Sequence, residues 1–294
     1  MNKLFLVLWL LSAVSCSGNN DKSDAYGNFE ATEIIISAEA GGKLLRCDAE
    51  EGQTLEENAI VGFIDTTQLA LKREQLLASQ QSIRSKSANI LAQIEVVQEQ
   101  RNVALIEKER LEKLFKENAA TQKQLDDVNG QVNVLEKQIA SIETQNAAVL
   151  SDIRSLDSQI RQINDQIQKS IVINPVKGTV LTKFAEPFEV IGFGKPLYKI
   201  ADLSTMFLRV YVSGDQLPKV MLGEKVEVFI DHDKTENLKL EGEISWISSK
   251  AEFTPKIIQT KQERVNMVYA VKIRVANNGS LKIGMPGEIN FKRP

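Results

Sequence analysis

The chain has 294 residues, 36 Lys plus Arg against 39 Asp plus Glu (formal net charge −3), one histidine, two cysteines and 6% aromatics. This length suits two modest domains; the near-neutral balance argues against nucleic acid, which needs a clustered basic surface, and a single imidazole excludes chemistry that needs two. All seven prolines fall after residue 170, whereas 66–170 contains no proline, one glycine (Gly130) and one aromatic (Phe115), so the middle of the chain is built differently from its flanks.

Residues 1–15 read as a signal peptide: Met1-Asn2-Lys3 is a charged start, 4–11 an apolar run, and 12–16 is Ser-Ala-Val-Ser-Cys. The run is shorter than the roughly 20 residues that span a bilayer. Ala13-Val14-Ser15-Cys16 resembles a bacterial lipobox, in which the cysteine becomes the acylated first residue of the mature chain, so Cys16 is the candidate lipidation site. The alternative is simple secretory cleavage beside an incidental cysteine. Residues 16–32 are a tether and first strand; Ser17-Gly18-Asn19-Asn20-Asp21-Lys22-Ser23-Asp24 is too polar to bury a core. Both readings place the protein outside the cytoplasm, the first of them on a membrane surface.

From 33 to 65 short apolar runs are punctuated by glycine: Ile34-Ile35-Ile36, Gly41-Gly42-Lys43-Leu44-Leu45, Gly52-Gln53-Thr54-Leu55 and Ile60-Val61-Gly62-Phe63-Ile64. Cys47 closes a predicted strand and reads as an inert buried thiol.

Residues 66–170 carry heptads. Leu125, Val132, Ile139, Asn146, Ile153, Ile160 and Ile167 form one row, and Val128, Leu135, Ile142, Val149, Leu156 and Ile163 a second, as in a coiled coil. Upstream, Leu69, Leu76, Ile83, Ile90, Val97, Ala104 and Leu111 form a third, accompanied by a patchier row of Leu77, Leu91, Ile94 and Leu105. Between the two segments, Asn118 can end one helix and Thr121 can cap the next, with Gln124 at the N3 position. If the chain reverses there, Leu114 faces Leu125, Leu111 Val128, Ala104 Leu135, Val97 Ile142, Ile90 Val149, Ile83 Leu156 and Leu76 Ile163, and every pair of numbers sums to 239. The stripes are in register only as an antiparallel hairpin, with its tip near 117–121 and arms of about 75 Å. Asn146 interrupts the stripe at an a position, where a polar residue sets register.

After the hairpin, 171–200 begins the β pattern again: Ile171-Val172-Ile173-Asn174-Pro175, Gly178-Thr179-Val180-Leu181, Phe188-Glu189-Val190 and Gly194-Lys195-Pro196-Leu197-Tyr198-Lys199-Ile200. A half-repeat split by a coiled coil implies one β-domain made of two halves. Residues 201–294 follow as a further β-domain. Ile200-Ala201-Asp202-Leu203, Leu208-Arg209-Val210-Tyr211-Val212, Gly223-Glu224-Lys225-Val226-Glu227-Val228 and a closing Ile283-Gly284-Met285-Pro286-Gly287 mark it. His232, flanked by Asp231 and Asp233, reads as a surface-turn residue.

Together these motifs resemble the HlyD-type periplasmic adaptor, or membrane fusion protein, family. The resemblance implies an elongated α+β fold: a split biotinyl-lipoyl-like β-domain (33–65 and 171–200), an inserted antiparallel coiled-coil hairpin (66–170) and a β-barrel (201–294). Phe253-Thr254-Pro255-Lys256, Gln259-Thr260 and Arg264 resemble the adaptors that partner ABC-type exporters. Asp65-Thr66-Thr67 stands where a lipoyl carrier displays its modified lysine, which argues against a carrier role. The family's tip motif, Arg then Leu then Ser, has its spacing here in Arg110, Leu114 and Thr121, with Thr in place of Ser. By resemblance these residues contact a TolC-like outer-membrane channel. The implied partners are an inner-membrane transporter, that channel, further copies in a ring of about six, and the membrane through Cys16. The implied location is the periplasm, anchored at the inner membrane. No cofactor, metal or catalytic residue is implied: Asp126-Asp127 read as helix-surface residues near an N-terminus, where the dipole favours them, and there is no Walker-type loop. Two other readings stay open, an adaptor of a proton-driven pump and a coiled-coil lipoprotein that spaces the envelope without transport.

Overall fold

A computed structural model describes residues 23–231, 237–253 and 267–291. The signal segment, Cys16, His232 and the motif residues 254–264 lie outside the described residues. The described residues form two compact units, one within 1–34, 177–181 and 200–294, the other within 35–176 and 182–199.

The described chain opens on β1 (Ala25–Glu30). Four strands follow, β2 (Glu33–Ser37), β3 (Gly42–Cys47), β4 (Thr54–Leu55) and β5 (Ile60–Ile64), then helices α1 (Thr67–Lys116) and α2 (Gln122–Lys169). Four more strands complete the repeat, β6 (Ile171–Ile173), β7 (Gly178–Lys183), β8 (Val190–Ile191) and β9 (Pro196–Ala201). The strand orders are β2-β9-β7-β4 and β6-β5-β3-β8. Exchanging the first four strands for the second four, in sequence order, converts one sheet order into the other. Each sheet takes two strands from each half, which is why neither half can bury its apolar face alone.

A buried asparagine stitches the halves. Asn174 is fully buried. Its Nδ2 donates to the carbonyls of Glu56 (2.9 Å) and Val176 (2.5 Å), and its Oδ1 accepts from the Tyr198 hydroxyl (3.1 Å). Its backbone amide donates to Ala59, and its carbonyl accepts from Asn58, both at 2.8 Å. Burial pushes the Tyr198 phenol above its ordinary pKa, so it remains a donor. Lys183 makes a second link, its ammonium 2.9 Å from both Glu50 and Glu186. Burial alone would lower the Lys183 pKa; the two carboxylates reverse that and hold it above its usual value. Cys47 is a buried free thiol, pushed up by burial.

The hairpin leaves from β5 and returns to β6. Asp65 fixes the start of α1, its Oδ1 accepting from the Thr67 amide (2.8 Å) and hydroxyl (2.6 Å), and these bonds hold its carboxyl below the usual carboxylate range. Every residue of the seven facing pairs is buried or half-buried. The core of the hairpin gathers Ile90, Ile94, Val97 and Ala104 of α1 with Val132, Leu135, Ile139 and Val149 of α2. The second row of α1 differs from the expected one. Leu77, Leu91 and Leu105 are exposed (45%, 48% and 37%); of the expected row Ile94 is buried, and Gln80 and Ser87 are buried with it. A strict seven-residue step from Ile94 selects positions 80 and 87, so geometry overrides side-chain polarity. Gln80 is then satisfied by Asp157 and Ser87 by Asn146.

Beyond β9 come β10 (Thr205–Ser213), a single 3₁₀ turn (Leu217–Lys219), β11 (Lys225–Asp231), β12 (Asn237–Ile247), β13 (Glu252–Phe253), β14 (Met267–Ala276) and β15 (Pro286–Asn290). Strands β10-β1-β15-β11-β12-β14 close on themselves through β10–β14 pairing, and β13 extends the sheet beside β14. β10 alternates strictly, with Met206, Leu208, Val210 and Val212 inside and Phe207, Arg209 and Tyr211 outward. The closing motif has a geometric reason. Gly284 turns in the left-handed region (φ 81°) and donates to the Phe29 carbonyl, while a Cβ on Gly287 would fall 2.9 Å from Leu208 and Phe29. The barrel is not confined to residues after 200: β1 is its sixth stave. Phe29, fully buried in the barrel core, is what draws that strand in.

Asn174→Ala should strip partners from Tyr198 and from two backbone carbonyls at once and cost about 3 kcal/mol or more, against about 1–2 kcal/mol for Tyr198→Phe. Urea unfolding of the two variants checks both the sizes and their order.

Candidate partner-binding site at the hairpin tip

The reversal occupies 117–121. α1 frays through a short series of backbone bonds, Glu117 N–H to Lys113 and Leu114, Asn118 N–H to Phe115 and Ala119 N–H to Leu114. Asn118 adopts the left-handed conformation (φ 59°), which ends helices and which asparagine tolerates. α2 then starts on a complete capping box. The Gln124 amide donates to Thr121 Oγ1, and the Thr121 amide donates back to Gln124 Oε1 at 2.8 Å. The Thr121 hydroxyl also donates to Gln124 Oε1 (2.9 Å). The turn is therefore held by its own bonds, and its side chains are presented on a fixed backbone.

Arg110 and Leu114, four residues apart, share a face of the last turns of α1. The Arg110 side chain is 69% exposed and pairs with Glu107 at 2.7 Å. An exposed pair of this kind contributes about 0–1 kcal/mol, so the guanidinium can exchange that carboxylate for acceptors on a partner. Leu114 is half-buried opposite Leu125, closing the last apolar layer while keeping one side open. Phe115 adds a second apolar side chain, 37% exposed. Lys113 and Lys116 lie in the final turn, where the helix dipole favours cations; Lys113 pairs with Glu109 at 2.9 Å and holds that carboxyl below its ordinary range. The tip thus offers a guanidinium, a small apolar platform and a hydroxyl already committed to its cap.

Asn146 lies far down the arm. Its Oδ1 accepts from Ser87 Oγ at 2.7 Å, a side-chain bond between the two helices. Ser87 was missed from sequence; the seven-residue row 80, 87, 94 would have exposed it, had polar residues been admitted to the count. Among the described residues no group of three His, Cys, Asp or Glu is placed to hold a metal ion. No described helix is long and apolar enough to cross a membrane.

A β-unit shared between two half-repeats, interrupted by an antiparallel hairpin and accompanied by a six-strand barrel, is the fold that the sequence resemblance to periplasmic adaptor, or membrane fusion, proteins implies. The comparisons agree with that fold. The chain is similar to MacA from Actinobacillus actinomycetemcomitans, with a TM-score of 0.59 and 20% identity over 90% of this chain and 76% of that one. It is also similar to a MacA–MexA chimera carrying the Pseudomonas aeruginosa MexA α-hairpin domain (TM-score 0.53, 18% identity, 90% of this chain and 78% of that one). In sequence it is 26% identical to a UPF0194 membrane protein of Yersinia enterocolitica over 92% of this chain and 89% of the relative. It is 34% identical to a UPF0194 membrane protein of Yersinia pseudotuberculosis over 42% of this chain and 38% of the relative. No protein-family model matches the chain.

Thr121→Ala should cost about 1 kcal/mol at the start of α2 and speed exchange of the Gln124 amide about five-fold, while Thr121→Ser stays near native; hydrogen-exchange NMR reads both. Replacing the Ser87–Asn146 layer by Ala and Leu should raise thermal stability yet loosen register. With cysteines at 90 and 149, native-register disulfides dominate in the parent. A cysteine pair at 97 and 149 should cross-link only in the repacked variant.

Proposed function

We propose that this protein is the periplasmic adaptor of a tripartite efflux or secretion system, linking an inner-membrane transporter to a TolC-like outer-membrane channel. The observation that carries this reading is the hairpin. A long helical pair with a continuous apolar seam ends in a self-capped turn bearing Arg110, Leu114 and Thr121, and its root grows out of a β-unit whose two halves it separates. Such a device transmits position and offers contact; it acts by binding, not catalysis.

The transporter is of the ABC type, a reading supported by the sequence motif around Phe253 and Arg264. Copies of the chain assemble in a ring of about six, their hairpins lining a conduit, and acylated Cys16 holds each copy at the inner membrane. Arg110 meets acceptors on the channel's helices while Leu114 anchors the contact, in keeping with the enrichment of arginine at interface hot spots.

Arg110→Asp places a carboxylate beside Glu107 and inverts the contact. Cells carrying it should accumulate a fluorescent efflux dye to the level of the deletion strain, with the chain still folded and at native abundance in the envelope. Native efflux in that variant would remove the tip from the mechanism. An unaltered dye level in the deletion strain itself would favour a spacer that takes no part in transport.

A further inference from the structure

Two features of the barrel unit meet at one of its rims. The first is where the chain enters. Asp24 leads into β1; its amide donates to Ile289, its carboxylate accepts from the Phe291 amide and its carbonyl from Gln216 Nε2, each at 2.9 Å. Gln216 stands at the start of the 3₁₀ turn, which runs directly to the second feature, Met221 and Leu222, 67% and 69% exposed. The strand registers agree on the rim. Ala25 lies opposite Ile289, Ile289 opposite Val228, and β11 begins at Lys225, so the 221–224 turn projects past the edge from which the N-terminal segment emerges.

This exposure is not slack in a loop. Val220 is buried in the barrel core, the Gly223 amide donates to Ile244, the Glu224 amide to Met221, and the Ile244 amide to Glu224. Gly223 takes the left-handed conformation that lets the turn close (φ 82°). A fixed turn that holds two large apolar side chains in water has a surface to meet. Exposed Lys219 and Lys225 flank the pair, and the Glu224 carboxylate is folded back to accept from the Met221 amide. An apolar point between two cations suits the interface of an anionic bilayer.

We propose that the 221–224 turn is a second membrane contact, with Met221 and Leu222 entering the headgroup region of the surface to which the N-terminus is tethered. The inference rests on acylation of Cys16. From Cys16 to Ser23 the chain takes seven steps, which reach at most about 25 Å when extended, so an acyl anchor keeps this rim near the lipid. A tether alone leaves the barrel free to tilt; the turn gives it a second point of support.

The test uses the mature chain beginning at Cys16, coupled through that thiol to a maleimide lipid in phosphatidylethanolamine–phosphatidylglycerol vesicles; Cys47 is buried and does not compete. In a Trp246→Phe background, Leu222→Trp supplies the probe and Ile106→Trp, on the exposed face of α1, the control. Brominated lipids should quench the tryptophan at 222 roughly two-fold and leave the one at 106 unchanged. An unquenched tryptophan at 222 on coupled protein overturns the proposal and assigns the turn to a protein partner. Labelling of cells with radioactive palmitate, native against Cys16→Ala, tests the anchor separately. Because the vesicle tether is chemical, quenching decides insertion even where no label is found.

Discussion

The hairpin is bound at both ends to neighbouring strands, and most of the structure follows from that restriction. β5 and β6 pair antiparallel, with Ile60 opposite Ile173 and Phe63 opposite Ile171, so the chain must come back to within about 5 Å of where it left. An excursion of two helices can do this only if its arms match. α1 has 50 residues and α2 has 48, a mismatch of about 3 Å at 1.5 Å per residue. The apolar seam enforces the match layer by layer. The polar layers make slippage costly, because a shift of one heptad in either direction would set Ser87 against an isoleucine, Ile139 or Ile153, and break its bond to Asn146.

The sequence announced the hairpin because its physics is local and periodic. Residues seven apart must face one seam, and the pair sum then leaves a single way to fold back. The capping box at Thr121 and Gln124 and the left-handed Asn118 were equally legible, since each depends on a few adjacent residues. Partners across the chain were hidden. Nothing near Asn174 points to Tyr198 or Glu56, and the polar row at 80 and 87 looks like a solvated face until α2 lies against it. The place of β1 in the barrel was hidden for the same reason: six residues of ordinary strand pattern do not reveal that their neighbours are β10 and β15.

The candidate site divides stiffness from affinity. Its backbone is fixed by caps that belong to the turn itself, whereas the guanidinium it offers outward is held by an exposed ion pair of little worth. Binding therefore need not reorganise the scaffold, and the contact can form and dissolve without disturbing the seam below. Leu114 serves both, as the last layer of the hairpin core and as the first surface a partner would meet, which couples integrity of the tip to its recognition.

The closure of the barrel across the chain sets an order of events in its making. The hairpin can zip as soon as α2 exists, each layer closing a shorter loop toward the tip. The barrel has no such freedom: Ser23 bonds Glu288 across 265 residues of sequence, and β1 keeps an open edge until β15 is delivered. An early strand waiting for the final one is an invitation to pair wrongly. The helper factors of the compartment in which this chain folds therefore have one segment above all to shield, Ala25–Glu30, and they must shield it for nearly the whole time the chain is arriving.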